Sequence, residues 1–517
     1  VAPAARGYFD AMLVQRLDAL HDPERAFVHL YGESENAFWL DSAAAGPRAR
    51  FSFIGDGGGP LGALVTYDVG AGRVRVERDG AVEIFEESIF DYLGRELRRP
   101  RFRPSELPFG LDCGFVGYFG YELKADCDGD AAHVAAAPDA AFVFADRLIA
   151  FDHEERHTYL VALTPTRELH QISGLADRKF DAVRVVDEGE RWIEETGRRL
   201  ASLPPLTGAP VSGAPGESVE LRLARSRERH LDDVAACKRR LQAGESYEVC
   251  LTNKVLGDAA AEPLALYRTL RRVNPAPFAA FLRFGGVAVL SSSPERFLQI
   301  DRDRWAEARP IKGTSRRGET AAEDARLAAG LASDAKTRAE NVTIVDLLRN
   351  DLGRVCEPGT VRVSELMGVE TYETVHQLVS AVRGRLREGV GAPECVRACF
   401  PPGSMTGAPK VRTMEIIDEL EEEARGIYSG AIGYLGLGGG CDLSVAIRTI
   451  AVDGDSLSIG AGGAIVLDSD PAQEFEEALL KARAPIAAID PDAAISFAPR
   501  AGEVLTPAGP QAPEPVS

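Results

Sequence analysis

The sequence predicts an α+β fold, with antiparallel strands paired as hairpins and helices packed outside them. Three observations carry this. Residues 443–452 and 457–459 read as strands joined through Asp453-Gly454-Asp455, a turn sequence suited to a hairpin. Two long helical windows, at 335–352 and from 470 onward, follow strand-like segments. No strand–helix–strand rhythm repeats along the chain, which argues against a doubly wound parallel sheet.

Taken in order, residues 1–202 alternate short strand-like runs (26–30, 63–67, 74–76 and 142–144) with turns and a few helical stretches. Residues 203–218, containing PPLTGAPVSGAPGES, are rich in Pro, Gly and Ser and read as a linker or surface loop. Residues 219–490 form a second part that holds every motif below. Within it, 287–291 is expected to pair with 296–300. The helix over 335–352 has Val342, Val345, Leu348 and Leu352 as its apolar stripe, with Glu340 near its start. The last helix opens at Asp470-Pro471-Ala472-Gln473, where Asp470 is the cap, Pro471 suits the first helical position and Gln473 can complete a capping box. From 491 to 517 the composition predicts a disordered tail.

The 517 residues are 45% hydrophobic and 27% charged, the profile of a globular protein. A formal charge of −20 excludes a nucleic-acid partner, which would need a basic face. There is no apolar run long enough to span a bilayer and no signal-peptide pattern, so no membrane association and a cytoplasmic location are expected. The eight cysteines are scattered without zinc spacing. Reduced thiols are the plain reading, with Cys250 and Cys356 in the core.

Several residues are candidates for chemistry. Glu474, Glu477 and Lys481 fall at i, i+3 and i+7 and share one helix face. Two carboxylates a turn apart suit a hard divalent cation, or are simply a solvated charged face. Glu340 matters only if the fold brings it to that face. Arg448 lies in a strongly β segment, LSVAIRTIAV, where its planar fork meets either a substrate carboxylate or a structural ion pair. Gly460-Ala461-Gly462-Gly463-Ala464 offers backbone N–H groups to an anion. Residues 402–410, PGSMTGAPK, fail as a phosphate-binding P-loop, because Ala408-Pro409 interrupts the required Gly-Lys and proline lacks an N–H. Lys312, between Ile311 and Gly313, is either a nucleophile with a lowered pKa or a lysine that reaches water or an anion.

Together these segments resemble the chorismate-utilising family, which includes anthranilate synthase large subunits and aminodeoxychorismate, isochorismate and salicylate synthases. The matching pieces are SSSPERFL (291–298), PIKGT (310–314), ENVTIVDLLRNDLGRV (340–355), ETVHQLVS (373–380), PPGSMTGAPKVRTMEIIDELE (401–421), IYSGAIGY (427–434), AIRTI (446–450) and IVLDSDPAQEFEEALLKARA (465–484), all in the family's order. FWLDS (38–42) and GYFGYELK (117–124) match more loosely. The resemblance implies an anthranilate-synthase-component-I-like fold, a sandwich of antiparallel sheets in two subdomains. It implies Mg²⁺ held by Glu340 and Glu477 with Glu474 nearby, gripping the ring carboxylate of chorismate. It implies a clamp on the enolpyruvyl carboxylate made by Tyr428, Arg448 and the backbone of Gly462 and Ala464, where relatives usually have glycine in place of Ala464. Lys481 assists the carboxylates, Thr406 belongs to the substrate-binding set, Glu295 is the acid for the departing 4-hydroxyl, and His376 and Ser404 line the ring pocket.

Two positions separate the family's reactions. Isochorismate and salicylate synthases resemble each other in a lysine base where this chain has Glu248, which argues against water as nucleophile. Aminodeoxychorismate synthases carry lysine in the Pro-Ile-x-Gly-Thr motif, as at Lys312, where anthranilate synthases usually have alanine. The resemblance therefore implies amination at C4 through a covalent Lys312 intermediate, for p-aminobenzoate. Direct attack of ammonia at C2, giving 2-amino-2-deoxyisochorismate or anthranilate, is the sibling reaction, and a non-catalytic amino-acid-sensing subunit is a distant alternative. No G-x-C-x-G-x-Q segment is present, so ammonia is expected from a separate or fused glutaminase. The family's tryptophan-site element Leu-Glu-Ser appears as Leu40-Asp41-Ser42, which leaves tryptophan binding in the N-terminal subdomain open.

Overall fold

A computed structural model describes residues 7–9, 12–43, 50–98, 107–164, 182–206, 219–259, 261–372, 375–491 and 495–496. Among these residues the strands form two large sheets, of 14 and 12 strands. Pairing is antiparallel throughout, except where Leu221–Leu223 runs parallel to Ile495–Ser496. That pair gives order to the start of the segment expected to be disordered from 491, and the rest of that segment lies outside the described residues, as do residues 207–218 of the linker.

Each sheet is woven from both parts of the chain. In the larger sheet Asn36–Asp41 pairs with Phe278–Phe284. In the smaller, Gly114–Phe119 pairs with Ala431–Gly436. The boundary at 203–218 thus divides the chain in sequence, while the strands on either side share the same hydrogen-bonded ladders. The sheets face each other across one apolar core, where Phe53 of the larger sheet meets Tyr434 of the smaller edge-to-face at 5.8 Å. The outer face of the larger sheet buries a second core under helices Pro23–Tyr31, Pro263–Val273 and Pro471–Ile489. No helix of the described residues is long and apolar enough to cross a membrane.

The helix Pro471–Ile489 forms as its local sequence requires, with the Asp470 carboxylate accepting from the Gln473 N–H at 2.9 Å. Three local expectations are corrected. Residues 26–30 lie in the helix Pro23–Tyr31, because Asp22 caps it and Pro23 presets its first turn, outweighing the β-like content of Phe-Val. In the helix Ala335–Gly353 the buried stripe is Ile344, Val345, Leu348 and Leu352, while Val342 is 51% exposed. Finally, Val287–Ser293 and Arg296–Ile300 do not pair. The first joins Phe278–Phe284 and Thr449–Asp453 in the larger sheet, and the second joins Cys441–Val445 in the smaller. Pro294 interrupts the ladder and the chain passes between sheets there.

A second crossing runs from Cys441–Val445 in the smaller sheet to Thr449–Asp453 in the larger. The hairpin through Gly454 is present, with Asp453 opposite Ser456, but it begins at Thr449. Arg448 therefore sits in a bend with φ +53°, not inside a strand. The two crossings bring Glu295 and Arg448 to the same end of the sandwich.

Candidate active site

Lys312 belongs to the short strand Ile311–Arg316. Its pairing with Val375–Arg385 slips by one residue between Ile311 and Thr314, so the lysine lies in a bulge. Gly313 there has φ +87°, and a Cβ would come 2.3 Å from Thr337 Cγ2, so this step of Pro-Ile-Lys-Gly-Thr needs glycine. The bulge turns Lys312 inward, leaving it 8% exposed, and its Nζ donates to Glu248 Oε1 at 2.5 Å.

Glu248 opens the strand Glu248–Asp258 and is 1% exposed. The Gly407–Ala408 segment holds it from one side, with Glu248 opposite Ala408. A Cβ on Gly407 would lie 1.9 Å from the Glu248 carbonyl oxygen, so only glycine permits this approach. Burial drives the Lys312 ammonium toward its neutral form, but Glu248 and Glu340 more than offset it and raise its pKa. That reverses the lowered pKa anticipated for a nucleophilic lysine: acids, not arginines, surround it.

Glu295 follows Pro294 at the first crossing and its N–H donates to Ser293 Oγ at 3.3 Å. Burial pushes its carboxyl up to about 7, against the opposing pull of a Ser404 hydrogen bond and the Lys312 charge. A carboxyl that keeps its proton to neutrality suits a general acid. Ser404 is thus beside Glu295. Thr406 is fully buried, its hydroxyl donating to Gly403 O at 3.3 Å and its carbonyl accepting from Cys250 N–H at 2.8 Å. Lys410 donates to Asp351, Cys399 O and Pro401 O, which assigns the lysine of Gly-Ala-Pro-Lys to holding the loop.

Among the described residues no carboxylate lies within ion-pair reach of Arg448, and its guanidinium donates to Lys481 O at 3.0 Å. Burial lowers its pKa, with Tyr428 and Glu477 pulling the other way. A half-buried guanidinium with donors to spare favours an incoming carboxylate over the structural ion pair. Tyr428 packs its ring on Gly460, where a Cβ would fall 2.1 Å from the ring.

The backbone adds donors on the same side. Ser456–Ile465 pairs with Glu248–Asp258, placing Ala464 opposite Cys250 and Gly462 opposite Thr252. Cys250 N–H goes to Thr406 O and Thr252 N–H to Glu421, away from that ladder. These are therefore the non-hydrogen-bonded pairs, and Gly462 and Ala464 turn their own N–H groups outward. Thr449–Asp453, the neighbour on that side, pairs no further than Ile459, so the edge at 462–464 is open.

Glu474 is buried, and its carboxylate accepts from Lys336 Nζ at 3.1 Å. The same ammonium is 3.9 Å from Glu340. Glu477 pairs with Lys481 at 2.8 Å, and Lys481 also donates to Gly462 O at 2.9 Å. A Cβ on Gly463 would lie 3.2 Å from Glu474 and 3.9 Å from Glu477. Burial, with the Glu248 and Glu474 charges, pushes Glu340 up to about 7 against the Lys312 and Lys336 charges. Among the described residues no three His, Cys, Asp or Glu side chains converge as a ready-made metal site; lysines hold these acids instead. The donor set still fits a hard divalent cation, being all carboxylate oxygen with mutual repulsion that a cation would relieve.

His376 is enclosed, with one ring nitrogen 2.9 Å from Asp324 Oδ1 and the other 2.8 Å from Thr371 Oγ1. Both partners, and Lys336, escaped notice in the sequence. Lys336 was legible as the residue one turn before Glu340, whereas Asp324 lies 52 positions from His376 with no local signal. In the Leu40-Asp41-Ser42 element, Asp41 accepts from Arg271 at 2.7 Å and Ser42 donates to Phe51 O at 2.7 Å. All eight cysteines are buried free thiols.

Residues 70–487 match the family model described as chorismate binding enzyme. The chain is 48% identical to an aminodeoxychorismate synthase of Streptomyces pristinaespiralis, over 92% of this chain and 65% of that protein. It is 37% identical to an anthranilate synthase component 1 of Streptomyces coelicolor, over 92% of this chain and 87% of that one. The crystal structure of anthranilate synthase component I from Streptococcus pneumoniae superposes with a TM-score of 0.70 at 27% identity, over 86% of this chain and 93% of that chain. The chain spans between 52% and 65% of the length of the four aminodeoxychorismate synthases it matches.

Proposed function

The chain belongs to the chorismate binding enzymes, and from that premise we propose that it aminates chorismate at C4, as the synthase part of an aminodeoxychorismate synthase. One observation carries the choice of reaction: a buried lysine, Lys312, stands among Glu248, Glu340 and Glu295, where the sibling amination at C2 needs no amine side chain. The greater identity to aminodeoxychorismate synthases than to anthranilate synthase supports the same choice.

In this reading Arg448, Tyr428 and the outward N–H groups of Gly462 and Ala464 hold the enolpyruvyl carboxylate. Glu340, Glu474 and Glu477 would hold Mg²⁺, which when bound neutralises and orients the ring carboxylate. Lys312 attacks C2 while Glu295 protonates the departing 4-hydroxyl, which leaves as water. Ammonia then adds at C4, the C2–N bond breaks, and Glu295 recovers a proton from the new ammonium group. Two displacements move the amino group across the ring. His376, fixed by Asp324 and Thr371, and Ser404 line the pocket. Ammonia comes from a glutaminase subunit or domain, and the product feeds p-aminobenzoate for folate or a specialised metabolite in the cytoplasm.

Product analysis with chorismate, Mg²⁺ and an ammonium salt tests the reading. 4-Amino-4-deoxychorismate is the expected product. Anthranilate or 2-amino-2-deoxyisochorismate as the sole product would replace this reaction with its sibling.

A further inference from the structure

A protonated lysine cannot attack carbon, and the surroundings of Lys312 hold it protonated. Its proton must go somewhere before the first displacement. We propose that Glu248 is the base that takes this proton, so that Lys312 attacks the substrate ring as a neutral amine. The inference rests on Lys312 being the nucleophile.

The geometry is built for the transfer. Nζ and Oε1 are 2.5 Å apart, both groups are buried, and the other carboxylate oxygen, Oε2, is buried with no hydrogen-bond partner among the described residues. That unpaired oxygen leaves the carboxyl free to accommodate a proton. The strand end carrying Glu248 is fixed by its pairing with Gly407–Ala408 and by Ser246 Oγ, which donates to the Glu248 carbonyl at 2.9 Å. Filling the site with substrate removes water from the pair, and desolvation favours the neutral amine and neutral acid together over the two charges.

The balance closes. Lys312-NH₃⁺ and Glu248-COO⁻ become Lys312-NH₂ and Glu248-COOH. The amine lone pair forms the C2–N bond as the C4–O bond breaks, and the adduct carries the positive charge on nitrogen. When ammonia adds at C4, the C2–N bonding pair returns to Lys312 as neutral amine, and Glu248 hands the proton back.

The charged and titratable groups facing Lys312 are Glu248 and Cys250 from their shared strand, Glu340 from helix Ala335–Gly353, Glu295 from the crossing, and Glu477 from helix Pro471–Ile489. Glu248→Gln keeps the shape and removes the base, while Glu340 remains to hold Lys312 protonated. Chorismate and Mg²⁺ without ammonia, quenched rapidly and read by mass spectrometry, should give a Lys312 adduct in the parent enzyme at a rate that declines above about pH 7, as Glu295 loses the proton it gives the departing hydroxyl. In Glu248→Gln the rate at pH 7 should fall by about 10²–10⁴, and the ratio of variant to parent rate should climb about tenfold per pH unit, because the proton must then leave to solvent. Adduct formation by Glu248→Gln at the parent rate and with the parent pH profile would overturn the role of Glu248. An absent adduct in the parent enzyme would instead remove Lys312 as nucleophile, and the assignment of its base with it. Should Glu248→Gln lack the parent circular dichroism, Glu248→Asp decides: it should form adduct more slowly with the parent pH profile retained, and a ratio to the parent rate that climbs with pH would count against the proposal.

Discussion

Replacing Arg448 with glutamine should cripple substrate use while leaving the fold at least as stable. The guanidinium is half-buried, has no carboxylate in ion-pair reach among the described residues, and gives Lys481 O a single bond at 3.0 Å. Its remaining donors form a fork for a carboxylate. Two charge-assisted hydrogen bonds are worth about 1.5–3 kcal/mol each, so their loss amounts to about 3–6 kcal/mol. At about 1.4 kcal/mol per decade, kcat/KM should drop by roughly two to four orders of magnitude. Stability moves the other way, because an unpaired buried charge is a cost to folding that the amide lacks. A structural ion pair would give the opposite pattern, since breaking one typically costs about 3–5 kcal/mol of stability. Steady-state kinetics with ammonium salts and urea unfolding of the same preparations measure both. A variant that loses several kcal/mol of stability yet keeps kcat/KM within about threefold would refute the carboxylate clamp.

Further outcomes follow from the same site. Glu295 holds its proton to about pH 7, so kcat/KM should decline above that pH; a profile flat to pH 9 would exclude it as the acid. Glu295 and Glu340 both titrate near 7 in the fold against 4.5 unperturbed. The native state therefore binds more protons between those values, and each group makes the fold less stable as pH rises through that window, with no further change above it. Thermal melts from pH 4.5 to 8 should show a smaller decline in Glu295→Gln than in the parent. Activity should require Mg²⁺, and its apparent affinity should strengthen as pH rises from 6 to 8 while Glu340 loses its proton; isothermal titration measures this, and full activity of Glu340→Gln in chelator would end the metal assignment. Lys312→Ala should lose the 4-amino product and shift residual turnover toward the 2-amino isomer or anthranilate, and a parent rate of 4-amino product would refute covalent catalysis.

Local chemistry was legible where neighbours in sequence decide it. Asp470-Pro471 starts a helix because the cap and the proline act on adjacent peptide groups, and Asp453-Gly454-Asp455 turns a hairpin for the same reason. The 26–30 segment failed as a strand because a cap and a proline upstream outweighed its own residue preferences. The motifs, in order across the second part of the chain, were sufficient to point to the family, to the acids and to Lys312.

What the sequence determined by itself is the inventory: which side chains can do chemistry, which helix face carries Glu474, Glu477 and Lys481, and where glycine is required. Only the tertiary structure decided which of them meet. The strand ending at Ser293 and the one beginning at Arg296 enter different sheets, a choice made by distant partners such as Thr449, 158 positions from Ser291. Glu248 and Lys312, 64 positions apart, share a proton-bearing contact that no local pattern encodes. Arg448 looked like a strand residue until the crossing between sheets put it in a bend without a counter-ion among the described residues. The physical reason is that ionisation and readiness to bind depend on desolvation and on charges within a few ångströms, and packing brings those neighbours from distant parts of the chain.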